Sequence, residues 1–185
     1  MENIESLMGK SDMLALGKLL NSCLRDKVAI AEIGSYEGGS TLTLTKESIR
    51  YDGVVVAIDI WEDEAVCTRF WENLGGFIKL GYILPIRKPS VDACRLFADK
   101  LFDMVFIDAD HTYSSVKQDI EAWLPKVRSN GLLCGYDCEG YYSKYSKAKQ
   151  KEIDAKDNGV MKALYEIFGD GYKIAPQSRI WYVAV

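Results

Sequence analysis

Three observations predict an α/β fold with a mostly parallel sheet covered on both faces. Short apolar runs alternate with segments of helical periodicity, a glycine-rich turn joins the first apolar run to the helix behind it, and polar or acidic side chains follow the apolar runs. Residues 4–24 carry apolar positions at helical spacing, including Leu7, Met13, Leu16, Leu19, Leu20 and Leu24, with Ser11-Asp12 as a cap or a break. One or two helices therefore form a lead-in over residues 1–25. Alternation follows: strand 28–33, helix 40–50, strand 54–58, an irregular stretch, strand 83–87, helix 91–100, strand 104–107, helix 113–127 and strand 132–135. Val116, Ile120, Trp123 and Val127 share one face of the 113–127 helix, and Asn130-Gly131 closes the turn after it. A polar patch rich in lysine and tyrosine over 139–158 reads as a mobile substrate loop. Behind it, Val160, Leu164 and Ile167 mark the inner face of a helix over 160–168, stopped by the glycines at 169 and 171. Two short strands near 172–175 and 180–184, joined through 176–179, end the chain on a hairpin. The expected architecture is a single domain over 1–185: a Rossmann-like three-layer sandwich whose mostly parallel seven-stranded sheet carries an antiparallel C-terminal hairpin strand.

Composition narrows the function classes. The chain has 185 residues, 48% hydrophobic and 27% charged, which is enough to bury a sizeable core. A net charge of -4 supplies no basic footprint for nucleic acid. No apolar run is long enough to span a bilayer, and Met1-Glu-Asn-Ile-Glu-Ser6 lacks the regions of a signal peptide. The expectation is a cytoplasmic protein without membrane or nucleic-acid partners; a homo-oligomer is left open. Five cysteines at irregular spacings suit a reducing compartment. Cys134 and Cys138 have no second pair or nearby histidine to complete a zinc site, so they read as buried or incidental thiols.

The run Ala29-Ile-Ala-Glu-Ile-Gly-Ser-Tyr-Glu-Gly-Gly-Ser-Thr41 is an apolar strand ending in a glycine turn that opens a helix, the outline of a nucleoside cradle. A phosphate-binding loop laid over residues 34–41 would put Ser40 where the lysine belongs. A dinucleotide fingerprint needs glycines at G-x-G-x-x-G, whereas here they stand at 34, 38 and 39, and Glu32 and Glu37 would repel a pyrophosphate. Carboxylates favour a cofactor bearing a sulfonium and an ammonium, which points to S-adenosyl-L-methionine. Asp59 follows Gly38 by 21 residues, the spacing at which a carboxylate reaches a ribose. That spacing is shared with NAD-binding proteins, and a simple loop cap is the alternative.

Strand ends supply the remaining chemistry. Asp108 and Asp137 end neighbouring strands in such a sheet, where two close carboxylates need a proton or a cation between them. Their oxygens suit magnesium or another divalent cation; the other reading has Asp108 on the cofactor and Asp137 facing solvent. His111, the only histidine, lies three residues beyond Asp108 and can take a hydroxyl proton near neutral pH, or merely cap the helix that begins beside it. Aromatic residues in the 61–82 stretch, with Trp61, Phe70, Trp71 and Phe77, and in the patch, with Tyr141, Tyr142 and Tyr145, could select an acceptor by stacking or could serve ordinary packing.

The runs Glu32-Ile-Gly-Ser-Tyr-Glu-Gly-Gly-Ser40, Ala57-Ile-Asp-Ile-Trp61 and Phe102-Asp-Met-Val-Phe-Ile-Asp-Ala-Asp-His-Thr-Tyr113 together resemble the class I S-adenosylmethionine-dependent methyltransferases. Within them the chain is similar to the small-molecule group, sugar O-methyltransferases included, with an Asp-His pair after the fourth strand. The likeness continues through Asp119, Trp123-Leu-Pro125, residues 130–137 and Asn158-Gly-Val-Met-Lys-Ala163, spanning roughly 28–183. It implies that Glu32, Gly34, Ser35, Tyr36, Gly38 and Ser40 line the methionine end, that Asp59 and Ile60 hold the ribose, and that Lys88, Pro89 and Ser90 border the adenine. Asp108 would touch the cofactor and act with His111 in catalysis. Asp108 and Asp137 would be the metal ligands, a divalent cation being used by related O-methyltransferases to hold substrate oxygens. The chain departs from the family pattern at Asn130, where a glycine is common, and at Tyr136, where a histidine is frequent. The implied reaction is methyl transfer to a small hydroxylated molecule. A catalytically silent cofactor-binding module with the same fold is the alternative, and the acidic glycine loop argues against a nucleotide-dependent oxidoreductase.

Overall fold

The computed structural model describes residue 4, residues 7–156 and residues 158–185. Its seven strands are β1 (Ala29–Ile33), β2 (Val54–Asp59), β3 (Ile83–Arg87), β4 (Phe102–Ile107), β5 (Val127–Gly135), β6 (Lys173–Ile174) and β7 (Trp181–Ala184). They form one sheet in the order β3-β2-β1-β4-β5-β7-β6. The first five strands pair in parallel, and β7 returns antiparallel to both β5 and β6. Strand order therefore reverses between β1 and β4, and a crevice opens beyond their carboxyl ends.

Side-chain alternation builds a core on each face of the sheet. On one face Ile30, Val55, Met104 and Phe106 pack with Leu16 and Leu20 of α1 (Lys10–Asn21) and Leu44 of α2 (Gly39–Ser48). α3 (Glu64–Lys79) extends that layer by setting Phe70 and Leu74 against Ala57 and Ile83. The opposite face carries Ala31, Ile33, Val56, Ile58, Val105 and Ile107. They lie beneath Ala93 and Cys94 of α4 (Ser90–Cys94), Val116, Ile120 and Trp123 of α5 (Tyr113–Trp123), and Ala163 and Leu164 of α7 (Val160–Phe168). Burial on both faces explains why these strands read as continuous apolar runs. At the amino edge the fully buried Asp103 accepts the Ala29 N–H at 2.8 Å and the guanidinium groups of Arg25 and Arg128, fixing the start of β1 beside β4.

Several expected boundaries move. The stretch taken as irregular contains the sixteen-residue α3, capped by Asp63, whose carboxylate accepts the Ala65 N–H at 2.8 Å. Gly75-Gly76 disguises it, since glycine is a poor helix former, yet both positions face open space and the buried Phe70 and Leu74 hold the helix. The helix expected over 91–100 ends at Cys94. The helix expected over 113–127 ends at Trp123; Pro125 sits in a 3-10 turn, and Val127 already begins β5. Asn130, at φ 65°, lies within β5, and a Cβ on Gly131 would stand 2.8 Å from the Asp103 carbonyl, so this pair is a kink in the strand and not the turn before it. Ser11 and Asp12 belong to the first turn of α1 and do not break it.

The patch at 139–158 folds into a 3-10 turn, Tyr142–Lys144, and α6 (Lys147–Asp154), with Tyr142, Gln150 and Ile153 buried. Residue 157 of that patch and residues 1–3, 5 and 6 of the lead-in lie outside the described residues. All five cysteines are unpaired, and four of them are buried. Among the described residues no helix is long and apolar enough to cross a membrane.

Trp123 ties this framework to the carboxyl edge. Its fully buried ring packs 6.0 Å from Phe102, and its Nε1 donates to Ser90 Oγ at 2.9 Å. Trp123→Ala should lower unfolding free energy by about 3–5 kcal/mol in urea denaturation. A loss below about 1 kcal/mol would show that the ring does not hold α5 to the sheet.

Candidate active site

A cavity of about 740 Å³ opens over the carboxyl ends of β1, β2, β4 and β5. Its floor depends on Gly34, whose φ of 87° suits glycine. A Cβ there would stand 2.1 Å from the Asp108 carbonyl oxygen, so the loop after β1 rests directly on the backbone after β4. Beneath this loop Glu32 is fully buried. Its Oε2 accepts the hydroxyls of Ser35, at 3.0 Å, and Thr41, while Oε1 has no well-formed hydrogen bond among the described residues, with the Ser40 hydroxyl also acting on the carboxyl. Burial pushes the Glu32 carboxyl up to about 7, opposed by the hydroxyls around it. Glu32 thus braces the loop from below.

Asp59 ends β2 and orders the next wall. Its Oδ2 accepts the Tyr36 N–H at 2.9 Å and its Oδ1 the Trp61 N–H at 2.8 Å, leaving lone pairs on both oxygens. Tyr36, Trp61 and Asp137 all hold positive φ, at 47°, 41° and 58°, so three chain segments turn sharply at this edge. Lys88, Pro89 and Ser90 form the side wall facing Gln118 and Asp119 of α5. Asp119 is buried, and desolvation pushes its carboxyl up to about 6 against the pull of the Ser90 hydroxyl.

The fourth and fifth strand ends converge on one imidazole. His111 Nε2 lies 3.3 Å from Asp108 Oδ1, and Nδ1 lies 3.1 Å from Asp137 Oδ2. The hydrogen bond to Asp108 raises the His111 pKa above its ordinary 6.5; burial opposes the rise and the Asp137 charge reinforces it. Burial raises Asp108, while His111 pulls it back. The loop carrying His111 is pinned twice. Asp110 accepts the Thr112 N–H at 2.9 Å and the Ser115 hydroxyl at 2.7 Å, and the His111 carbonyl accepts the Gly159 N–H at 2.7 Å. A Cβ on Gly159 would meet Tyr113 Cα at 2.4 Å, which explains the glycine at that position.

Arg179 closes the site from the turn before β7. Its Nη1 lies 2.8 Å from Asp137 Oδ1, its Nη2 bonds the Tyr136 hydroxyl, and its guanidinium carbon sits 4.5 Å above the Tyr136 ring. Asp12 holds this group from below, accepting the Arg179 N–H at 2.9 Å and the Tyr136 hydroxyl at 3.0 Å.

Of the residues expected to hold a cofactor, Gly34, Ser35, Tyr36, Ser40, Asp59, Ile60, Ser90 and Asp108 line the cavity, as do His111 and Asp137. Glu32 and Gly38 do not. Glu32 is sealed under the loop, and a Cβ on Gly38 would meet the Leu74 side chain at 2.4 Å, so that glycine serves the packing of α3. Glu37 turns away to pair with Arg69 at 2.5 Å. The aromatic stretches stay out of the wall: Trp61 and Phe70 pack together at 4.6 Å, Tyr141 stacks on Tyr172 at 5.0 Å, and Tyr142 bonds Asp154 at 2.9 Å.

The two carboxylates expected to share a divalent cation have positive or titratable groups of the chain itself beside them. Both nitrogens of His111 stand between them, the Arg179 guanidinium lies 2.8 Å from Asp137 Oδ1, and among the described residues no group of three or more His, Cys, Asp or Glu side chains is placed to hold a metal ion. Sequence reading missed Arg179 and Asp12. The signal was topological: a strand antiparallel to β5 must start at the carboxyl edge, so the turn before it faces the site.

Comparison with known proteins places these features in context. A family model described as a methyltransferase domain matches residues 31–138. No curated protein matches the chain. Solved structures share the fold. A Staphylococcus aureus protein provisionally described as a caffeoyl-CoA O-methyltransferase has a TM-score of 0.70 at 18% identity, covering 96% of this chain and 83% of that one. The O-methyltransferase of Bacillus cereus, solved in complex with SAH, has a TM-score of 0.66 at 17% identity, with coverages of 100% and 84%. The SAH-bound methyltransferase PaMTH1 of Podospora anserina gives 0.67 at 14% identity, with coverages of 91% and 75%.

The buried Glu32 makes the loop sensitive to pH. Its pKa rises from 4.5 to about 7 on folding, so its favourable contribution is complete below pH 4.5 and is lost as pH climbs through 7. Between pH 5 and 8 the cofactor-free protein should lose about 2 kcal/mol more stability than its Glu32→Gln variant. Parallel denaturation midpoints for the two across this range would contradict the assignment.

Proposed function

The chain belongs to the methyltransferase-domain family, and from that premise we propose that its cavity binds S-adenosylmethionine for methyl transfer to a hydroxyl oxygen of a small molecule. The observation that carries this reading is convergence on one cavity of the Gly34 loop, the Asp59 carboxylate and an imidazole flanked by two carboxylates. Its volume of about 740 Å³ is of the size ligand pockets take. Family resemblance and the O-methyltransferases among the structural neighbours support oxygen as the accepting atom.

The residues present fit the cofactor. Asp59 keeps lone pairs on both oxygens for a ribose diol, with Ile60 beside it and Lys88, Pro89 and Ser90 along the adenine wall. Gly34, Ser35, Tyr36 and Ser40 border the methionine end, and the acids at the strand ends favour a cationic group. When bound, S-adenosylmethionine supplies an electrophilic methyl on a sulfonium. His111 takes the hydroxyl proton of the acceptor on Nδ1, the nitrogen without a hydrogen bond among the described residues, while Asp108 holds Nε2, and the charges of Asp108 and Asp137 stabilise the resulting imidazolium. Orientation of the hydroxyl by the cavity wall supplies much of the remaining rate.

Calorimetric titration tests the cofactor, and turnover tests the base. S-adenosylhomocysteine should bind at least about tenfold more tightly than NAD, and Asp59→Ala should cost roughly tenfold in that affinity. His111→Ala should retain it while losing about 100-fold or more in turnover on any acceptor that the parent protein methylates. Preference for NAD would overturn the cofactor, and undiminished turnover would overturn the role of His111.

A further inference from the structure

We infer that Arg179 holds the place a divalent cation would take beside Asp137, and that the centre operates without a metal. This rests on the methyltransferase reading above and adds how its charge is balanced. Asp108 and Asp137 bring two negative charges to neighbouring strand ends. His111 bridges them at 3.3 and 3.1 Å, and Arg179 reaches Asp137 Oδ1 at 2.8 Å. Arg179 offsets one of these charges throughout, and once His111 has taken the acceptor proton two positive groups balance two carboxylates.

A divalent ion would add two further charges beside a guanidinium that cannot lose its proton. It would also have to displace the positive groups at the two carboxylates: His111, hydrogen-bonded to Asp108, and Arg179, whose Nη1 stands 2.8 Å from an Asp137 Oδ1 that has no hydrogen bond among the described residues and is held by charge alone. The residue after Asp137 offers no replacement ligand, because buried Cys138 points its sulfur to the Gly140 carbonyl at 3.3 Å.

Arg179 stands at the exposed rim of the cavity, its side chain 45% accessible, and is held there by contacts from two directions. Its backbone N–H and the Tyr136 hydroxyl are both bound by the buried Asp12 of α1, and its guanidinium lies over the Tyr136 ring. Two of its nitrogens engage Asp137 and Tyr136, and the side chain still lines the cavity. Because the side chain lines the cavity, the residue that takes the place of the metal also offers acceptor oxygens a positive partner. Arg179 is thereby a positioning residue for Asp137 and a specificity determinant for the acceptor.

Manganese(II) titration of the full chain, read by electron paramagnetic resonance, tests this without a known acceptor. The parent protein should leave the aqueous Mn2+ signal unchanged up to about 1 mM ion. Arg179→Ala, and Arg179→Gln should the alanine variant fail to fold, should gain at least about tenfold in Mn2+ affinity. Adding Asp137→Asn should abolish the gain, while Arg179→Lys should keep the ion out. Stoichiometric Mn2+ binding by the parent protein that Asp137→Asn removes would overturn the inference, as would folded Arg179→Ala and Arg179→Gln variants that gain none. Adenosylhomocysteine titration of the same samples reports separately on the cofactor: its loss in the parent protein would sink the methyltransferase reading and leave the ion result standing.

Discussion

The contact between the Gly34 backbone and the Asp108 carbonyl is the constraint on which the site depends. With no Cβ in the way, the loop after β1 lies flat against the segment after β4 at the point where strand order reverses. That approach seals Glu32 below the loop and starts α2 beside the crevice. It also brings the chemistry of β4 within reach of whatever the β1 loop holds. Any side chain at residue 34 would need both a left-handed backbone and a displaced β4 end.

Electrostatics at the cavity follow from the same geometry. Parallel strands deliver their carboxyl ends to one edge, and this chain places an acid at or just beyond the end of four of them: Glu32 within β1, Asp59 ending β2, and Asp108 and Asp137 after β4 and β5. Each is managed differently. Glu32 is buried among hydroxyls, Asp59 accepts two backbone N–H groups, Asp108 shares His111, and Asp137 is held by both His111 and Arg179. In the proposed reading this graded neutralisation leaves Asp59 for recognition and the Asp108 to Asp137 side for proton transfer.

The parallel core and most of the cavity wall were legible in the sequence because they depend on local signals. Apolar runs mark strands buried on both sides, glycines mark the loop after β1, and the strand-end acids announce the edge. What escaped depends on distant partners. The helix of residues 64–79 was hidden by Gly75-Gly76, whose weak propensity is outweighed by Phe70 and Leu74 burying against the sheet. The length of β5 was hidden by Asn130-Gly131, a turn signal that the neighbouring strand accommodates as a kink. Arg179 and Asp12 lie 167 residues apart in sequence, and no periodicity links them. The carboxylate pair was expected to share a proton or a divalent cation; the imidazole that stands between the two acids and the guanidinium beside Asp137 come from the fold.

A crystal structure of the chain with S-adenosylhomocysteine is the most direct test of the central claim, that one cavity at the β1/β4 switch point serves both binding and proton transfer. The account predicts both ribose hydroxyls on Asp59 and the sulfur turned towards His111, with Arg179 still on Asp137. A nucleoside bound elsewhere, or a sulfur directed away from His111, would contradict it.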